Sequence, residues 1–211
     1  MKYCSITPNR GGERDTLLKF CAEQIKEMGI SNAYIINDPP KGPKPDLIPR
    51  IKQGIEMAKR DGFDWIFVIE SDDSYPSDYV ERYLPHMTAY DFIGDPWTTY
   101  YRIDTRRYST EHHHGRASLF TTAFRVSALD KFRWPADDYV FLDIPLWKHA
   151  KKYKCKFVKS GAIGIKGHGF GMTGGNGHRS KLKHEDMNLD YLSQNVTARN
   201  FQFYKELMKR F

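Results

Sequence analysis

Cysteine is scarce in this 211-residue chain. Cys4, Cys21 and Cys155 are far apart, odd in number and form no C-x-x-C pair, which suggests a reducing compartment rather than a disulfide framework. Long apolar runs are missing too. No stretch approaches the roughly 18 to 20 apolar residues of a membrane span. Met1-Lys2-Tyr3-Cys4 enters a short strand directly, with no apolar signal segment, so the expected location is cytoplasmic. Asn195-Val196-Thr197 has the form of a glycosylation sequon, a chance match in a chain without a secretion signal. G-x-x-x-x-G-K-S/T does not occur, and the spacing G-x-G-x-x-G occurs only at Gly169 to Gly174, inside a glycine-rich loop rather than directly after a strand and opening a helix, so the common nucleotide motifs find no support. Acids are in deficit: 26 Asp and Glu stand against 33 Lys and Arg, a formal net charge of +7. A basic balance suits an anionic partner such as a phosphorylated substrate or nucleic acid. The basic residues are spread along the chain and mixed with acids, so charge by itself is weak support for nucleic acid.

What is present is a well-supplied core, 40% hydrophobic and 14% aromatic, enough for one domain over residues 1–211. Lys2 to Ile6 reads as a strand, and Leu17, Leu18, Cys21, Ile25 and Met28 recur at helical spacing up to Gly29. Ala33 to Ile36 is a second strand, so a β-α-β unit with parallel pairing opens the chain. A helix beginning at Pro49 follows, with Ile51, Ile55 and Ala58 on its apolar face. Pro76 to Tyr83 reads as a short helix, Asp91 to Gly94 as a strand, and residues 95–116 as an antiparallel or irregular excursion rich in Trp and Tyr. Further elements are a short helix over Val126 to Phe132, strands at Lys156 to Val158 and Ile163 to Ile165, and a helical tail from Asn188. The class is an open α/β sheet.

The densest signal is Asp64-Trp65-Ile66-Phe67-Val68-Ile69-Glu70-Ser71-Asp72-Asp73. A continuous apolar run of this length predicts a strand buried on both faces. It stops at three acids within four positions, at the carboxyl end where open α/β sheets bind ligands. Glu70, Asp72 and Asp73 there can hold a hard divalent cation through oxygen. The plainer account is a strand followed by an acidic turn. Pro145 fits only the first turn of a helix, so a helix starts near Asp143 and that carboxylate projects from its N-terminus, as an ordinary N-cap also would. Residues 166–179 hold Gly167, Gly169, Gly171, Gly174, Gly175 and Gly177 with His168 and His178, too many glycines for a regular element. The three-His run at His112, His113 and His114 fits an exposed loop better than a tetrahedral zinc set.

Four local patterns, in this order, resemble the GT-A fold of inverting nucleotide-sugar-dependent glycosyltransferases over nearly the whole chain. Ser5-Ile6-Thr7-Pro8-Asn9-Arg10 resembles the family's first strand and nucleotide-contacting turn. Arg50 to Ala58 resembles its basic, Gly-containing helix, and Trp65 to Asp73 its apolar strand with a D-x-D motif, here with Glu70 in the first acidic place. Leu142-Asp143-Ile144-Pro145-Leu146 resembles the helix start that supplies the family's base, with Leu142 where an acid often stands. The resemblance implies a GT-A (Rossmann-like) mixed, mostly parallel central sheet flanked by helices. It further implies Mn²⁺ or Mg²⁺ held by Asp72 with Glu70 or Asp73, His168 completing the metal shell or donating to a diphosphate, and Asp143 as base. Thr7, Pro8, Asn9, Arg10, Asp38, Lys52, Ser71 and Arg179 would contact a UDP-sugar donor. The acceptor would be a glycan or glycoprotein hydroxyl, with Trp97, Tyr100, Tyr101 and Trp134 as an aromatic platform. Residues 1–95 would form the donor half, 96–187 the acceptor half and 188–211 a C-terminal helical segment. The chain is also similar to small glycosyltransferase domains of chlorella viruses, which would put it in a host cytoplasm. Rival readings are a two-metal nuclease that uses the same acids, a nucleic-acid-binding module driven by the +7 charge, which leaves the acids unexplained, or glycosylation of modified DNA.

Overall fold

The structure is a computed structural model that describes residues 1–40, 42–170 and 182–211. The chain runs β1 (Tyr3–Pro8), α1 (Asp15–Glu27), β2 (Ala33–Ile36), α2 (Leu47–Arg60), β3 (Trp65–Val68), β4 (Phe92–Gly94), β5 (Trp97–Arg102), β6 (Arg107–His112), β7 (Thr122–Arg125), α3 (Asp143–Ala150), β8 (Cys155–Phe157), β9 (Ile163–Lys166), β10 (His184–Glu185), α4 (Asp190–Asn195) and α5 (Ala198–Met208). Six strands form the central sheet in the order β2-β1-β3-β7-β4-β8. The pairings β1–β2, β1–β3 and β4–β8 are parallel, while β7 lies antiparallel to both β3 and β4. The sheet is therefore mixed and mostly parallel, as expected. A second sheet, β10-β6-β5-β9, stands beside it and contains the hairpin that the Trp- and Tyr-rich excursion forms.

Alternation along β3 explains why its run is wholly apolar. Ile66 and Val68 face one core with Ile51, Ile55 and Ala58 of α2 and Leu146 and Trp147 of α3. Trp65 and Phe67 face the other, with Cys21 and Ile25 of α1 and Tyr79 and Tyr83. A third core joins β5 and β9 to the C-terminal helices through Tyr101, Ile165, Leu192 and Tyr204. Gly54 lets α2 lie directly on β1, because a Cβ there would come within 2.6 Å of Ile6.

Three expectations need correction. Residues 76–83 form successive turns, and only Leu84–His86 closes as a 3₁₀ helix: the aromatic rings of Tyr79 and Tyr83 are drawn into the core, and Tyr83 donates to the Thr121 carbonyl oxygen, so tertiary packing overrides helical spacing. Helix α2 starts at Leu47, with Pro49 at its third position, still inside the first turn where no N–H is needed. His113 does not sit in an exposed loop; it is buried, with its Nε2 3.1 Å from Ser118 Oγ.

Candidate active site

Parallel pairing of β1 with β3 aligns Ile6 with Val68, so both strands deliver their following turns to the same sheet edge. Here the Asn9 amide donates to Asn37 Oδ1 at 2.6 Å, and Ser71 Oγ donates to Asn9 Oδ1 at 3.3 Å. The turn after β1 leads into α1 through Arg14, whose guanidinium donates to Ser71 Oγ at 3.1 Å and Asp72 Oδ1 at 2.9 Å.

The three acids converge. One carboxylate oxygen from each of Glu70, Asp72 and Asp73 lies within 4.8 Å of the others. Asp73 is fully buried and ties β3 to β9: its Oδ1 accepts from the Ile165 N–H at 2.8 Å and from Lys166 Nζ at 3.3 Å, while its buried Oδ2 has no hydrogen-bond partner. Asp72 Oδ2 accepts from His168 Nε2 at 3.1 Å and lies 3.7 Å from Lys166 Nζ. His168 Nδ1 accepts from the Phe170 N–H, which assigns the proton to Nε2. Gly167, at φ 71°, reverses the chain after β9 so that the buried His168 ring can reach Asp72.

Burial raises the Glu70 carboxyl to about 7, against the pull of Lys166. It also pushes Asp73 well above the usual range, again against Lys166. For Asp72 burial acts in the same direction, but Lys166, Arg14 and His168 together outweigh it and hold the group well below the usual carboxylate range. Lys166 is held protonated by Asp73, Asp72 and Glu70, which outweigh its own desolvation. Clustered hard oxygen donors with an unsatisfied buried carboxylate oxygen fit a divalent cation.

Asp143, distant in the sequence, reaches the same place. Helix α3 is pinned to the sheet by Trp147, whose indole N–H donates to Thr122 Oγ1 of β7 at 3.0 Å. Asp143 is its first residue and pairs with Arg116. Burial raises its carboxyl above the ordinary value, and Arg116 together with the N–H groups of Asp143 and Ile144 limits the rise. A cleft of about 630 Å³ opens at this point. Pro8, Arg14, Glu70, Asp72 and Lys166 line it together with Arg116 and Asp143.

The other candidates fall into three groups. Thr7, Asn9 and Ser71 are buried in the framework of the strand ends. Arg10 donates to the carbonyl oxygens of Gly42 and Lys44, Asp38 accepts from Gln53, and Lys52 pairs with Asp137 above Trp134, so these cover the β2–α2 side outside the cleft lining. Arg179 and most of the glycine-rich segment, His178 included, lie outside the described residues. Of the aromatic platform, Tyr100 borders the cleft, Tyr101 is buried in the third core, Trp134 packs against the first core, and Trp97 is exposed elsewhere. Sequence reasoning missed Arg14, Lys166 and Arg116. Each is an isolated basic residue in sequence, separated from its acid by 58, 93 and 27 positions. Only Arg14, next to the first turn, carried a positional signal.

No family model matches the chain, and neither does any curated protein. Solved structures do. A variant of Drosophila β1,4-galactosyltransferase 7, in complex with manganese, UDP-Gal and xylobiose, superposes with a TM-score of 0.50 at 11% identity, over 74% of this chain. The match covers 65% of that protein's chain, so the chain here spans about two thirds of it. The catalytic domain of the same Drosophila enzyme with xylobiose gives 0.47, at 11% identity over 74% of this chain and 65% of that one. A glucose-1-phosphate thymidylyltransferase from Bacillus anthracis gives 0.46, at 11% identity over 74% and 85%. The first likeness shows the fold, which is GT-A-like.

Proposed function

We propose that the protein is a metal-dependent glycosyltransferase that moves a hexose or deoxyhexose from a nucleoside-diphosphate sugar, UDP-linked, to a glycan hydroxyl with inversion. One observation carries the reading: Glu70 and Asp72 of the acid cluster after β3 and the helix-start carboxylate Asp143 border one cleft although they lie in different halves of the chain. The galactosyltransferase with the same fold holds manganese and UDP-Gal, which supports the donor class.

Glu70, Asp72 and Asp73 would hold Mn²⁺ or Mg²⁺. When bound, the ion supplies Lewis-acid neutralisation of the leaving diphosphate. Arg14 and Lys166 face the same space and add charge-assisted donors for the phosphoryl oxygens. His168, with both ring nitrogens engaged, orients the Asp72 carboxylate. Asp143 takes the proton from the acceptor hydroxyl as its oxygen bonds to the anomeric carbon. The bond from that carbon to the diphosphate oxygen breaks, and its electron pair leaves with the diphosphate. Attack from the face opposite the leaving group inverts the carbon. Asp38, just after β2, is assigned to the uracil or ribose, while Asn9 and Ser71 hold the strand ends beside the cleft in place. The three free thiols support a reducing, cytoplasmic setting.

Calorimetry of UDP with Mn²⁺ and in EDTA tests the reading. Binding should need the cation and disappear in Asp72→Ala; equal, tight UDP binding in EDTA would overturn it.

A further inference from the structure

The hairpin β5–β6 has two working faces. Alternation along it turns Tyr100 and Glu111 toward the catalytic cleft, and Thr99 and Thr110 toward a second groove of about 550 Å³ on the opposite side. The chemistry of the two spaces differs. The first is lined by Arg14, Lys166 and Arg116 against Glu70, Asp72 and Asp143. Among the described residues that line the second, only Asp95 and Lys159 carry charge. The Asp95 carboxylate is 3% exposed and already accepts from the Trp97 N–H and from the Ser160 N–H and hydroxyl. A nucleotide or a metal ion therefore has little to bind there.

What the groove offers is aromatic faces and hydroxyls. Trp97 is 58% exposed and is held by the His112 ring, with centroids 4.4 Å apart. Phe157, 39% exposed, also borders the groove. Tyr191 is fixed by stacking on Tyr108 and directs its hydroxyl at Thr99 Oγ1, 3.4 Å away. Thr99 and Thr110 pair through their hydroxyls at 2.7 Å. A rigid exposed indole beside neutral hydroxyl groups is complementary to one ligand chemistry: a sugar ring, apolar on its C–H face and hydroxylated at its edge. These hydroxyls pair with one another and keep further donor and acceptor capacity, which sugar hydroxyls would use and a wholly apolar ligand would not.

We infer that the groove around Trp97 is a binding site for a neutral oligosaccharide, separate from the transfer cleft and on the far side of the same hairpin. Its role would be to hold a glycan strand beside the site where a sugar is added. The binding itself does not depend on the transfer reading.

The test uses the whole protein in EDTA, without nucleotide. It is titrated with hexasaccharides of β1,4-glucan, β1,4-xylan and α1,4-glucan, followed by calorimetry and tryptophan emission. Of the four tryptophans, Trp65 and Trp147 are buried and Trp134 is packed against the core, so an emission change reports chiefly on Trp97. At least one hexasaccharide should bind saturably. Trp97→Ala should weaken it tenfold or more with an unchanged melting midpoint, and Trp97→Phe should restore part of the affinity. Asp72→Ala and Asp143→Asn should bind as well as the parent, which keeps this result apart from any failure of the transfer reading. Absence of saturable binding by all three sugars at millimolar concentration would overturn the proposal. So would binding indifferent to Trp97→Ala, binding lost in Asp72→Ala, or a dimer that Trp97→Ala dissolves, which would make a second copy of the chain the occupant.

Discussion

At the scale of single residues, the proposed transfer rests on Asp143, which pairs with Arg116. Asp143→Asn keeps the shape and the helix start but accepts no proton. Transfer should fall by roughly a hundredfold or more, the usual scale of a lost general base, with UDP and metal binding retained. A simple capping role predicts instead a modest drop in melting midpoint and near-normal turnover, so measuring both separates the accounts. The pH profile carries the sign of the environment. Burial raises the Asp143 carboxyl and Arg116 lowers it. A base works deprotonated, so activity should rise with pH along a limb set above the ordinary carboxylate value. Arg116→Ala removes the cation and should move that limb to higher pH; an unmoved limb in kcat/KM would mean that Asp143 is not the titrating group. Lys166 gives a prediction of its own. Its ammonium lies 3.3 Å from Asp73 and 3.7 Å from Asp72, where an incoming cation must compete with it. At an effective dielectric of about 20, a unit charge 4 Å away is worth about 4 kcal/mol. Lys166→Met should therefore tighten Mn²⁺ binding in the absence of nucleotide by about tenfold or more, read by titration calorimetry. Unchanged or weaker affinity would place the metal elsewhere.

Among the elements, α3 matters most, because it carries Asp143 and is seated by close packing rather than by chain connectivity. Its Trp147 ring lies against Gly94 at the end of β4, where a Cβ would come within 2.6 Å of both that ring and Ala117. Neither neighbour is the free end of a flexible chain. Gly94→Ala should cost about 1–3 kcal/mol of stability, the usual range for overpacking, and lower transfer per folded molecule by shifting α3. Urea unfolding together with activity per native molecule measures both; full stability would mean that β4 and α3 adjust freely. The antiparallel β7 is the complementary element. It sits between β3 and β4 and anchors α3 through Thr122, so the strand that leads into the acids and the helix that carries Asp143 share one scaffold.

For the whole molecule, the cleft predicts coupling between ligands. The acid cluster and the cations Arg14 and Lys166 belong to β3, the turn into α1, and β9, which lie far apart in the chain, so a bound diphosphate with its cation would tie these segments together. A ligand that binds only the native state at a hundred times its Kd adds about 2.7 kcal/mol. For a protein of this size that is roughly 5–10 °C in Tm. UDP with Mn²⁺ should raise the midpoint by that order, and by more than the sum of the shifts from UDP alone and Mn²⁺ alone. Additive shifts would mean that nucleotide and metal bind independently. Among the described residues no helix is long and apolar enough to cross a membrane, in keeping with the short apolar runs of the sequence.

Local patterns determined a good deal by themselves. The run from Trp65 to Ile69 made β3 inevitable as a strand buried on both faces, the switch to Glu70, Asp72 and Asp73 marked where acids gather beyond its end, and Pro145 located the start of α3. These signals are short-range: periodicity, a change of polarity, a fixed φ. Tertiary structure decided which distant charges meet. Nothing around Lys166 or Arg116 says that one will sit between two aspartates and the other beside Asp143, because their partners are supplied by strand order and helix packing. The same holds for Trp97 and Tyr100, close in sequence and equally aromatic. Pleating of β5 and its pairing with β6 send one to an exposed groove and bury the other beside the cleft, since a side chain's face depends on strand register and not on residue type.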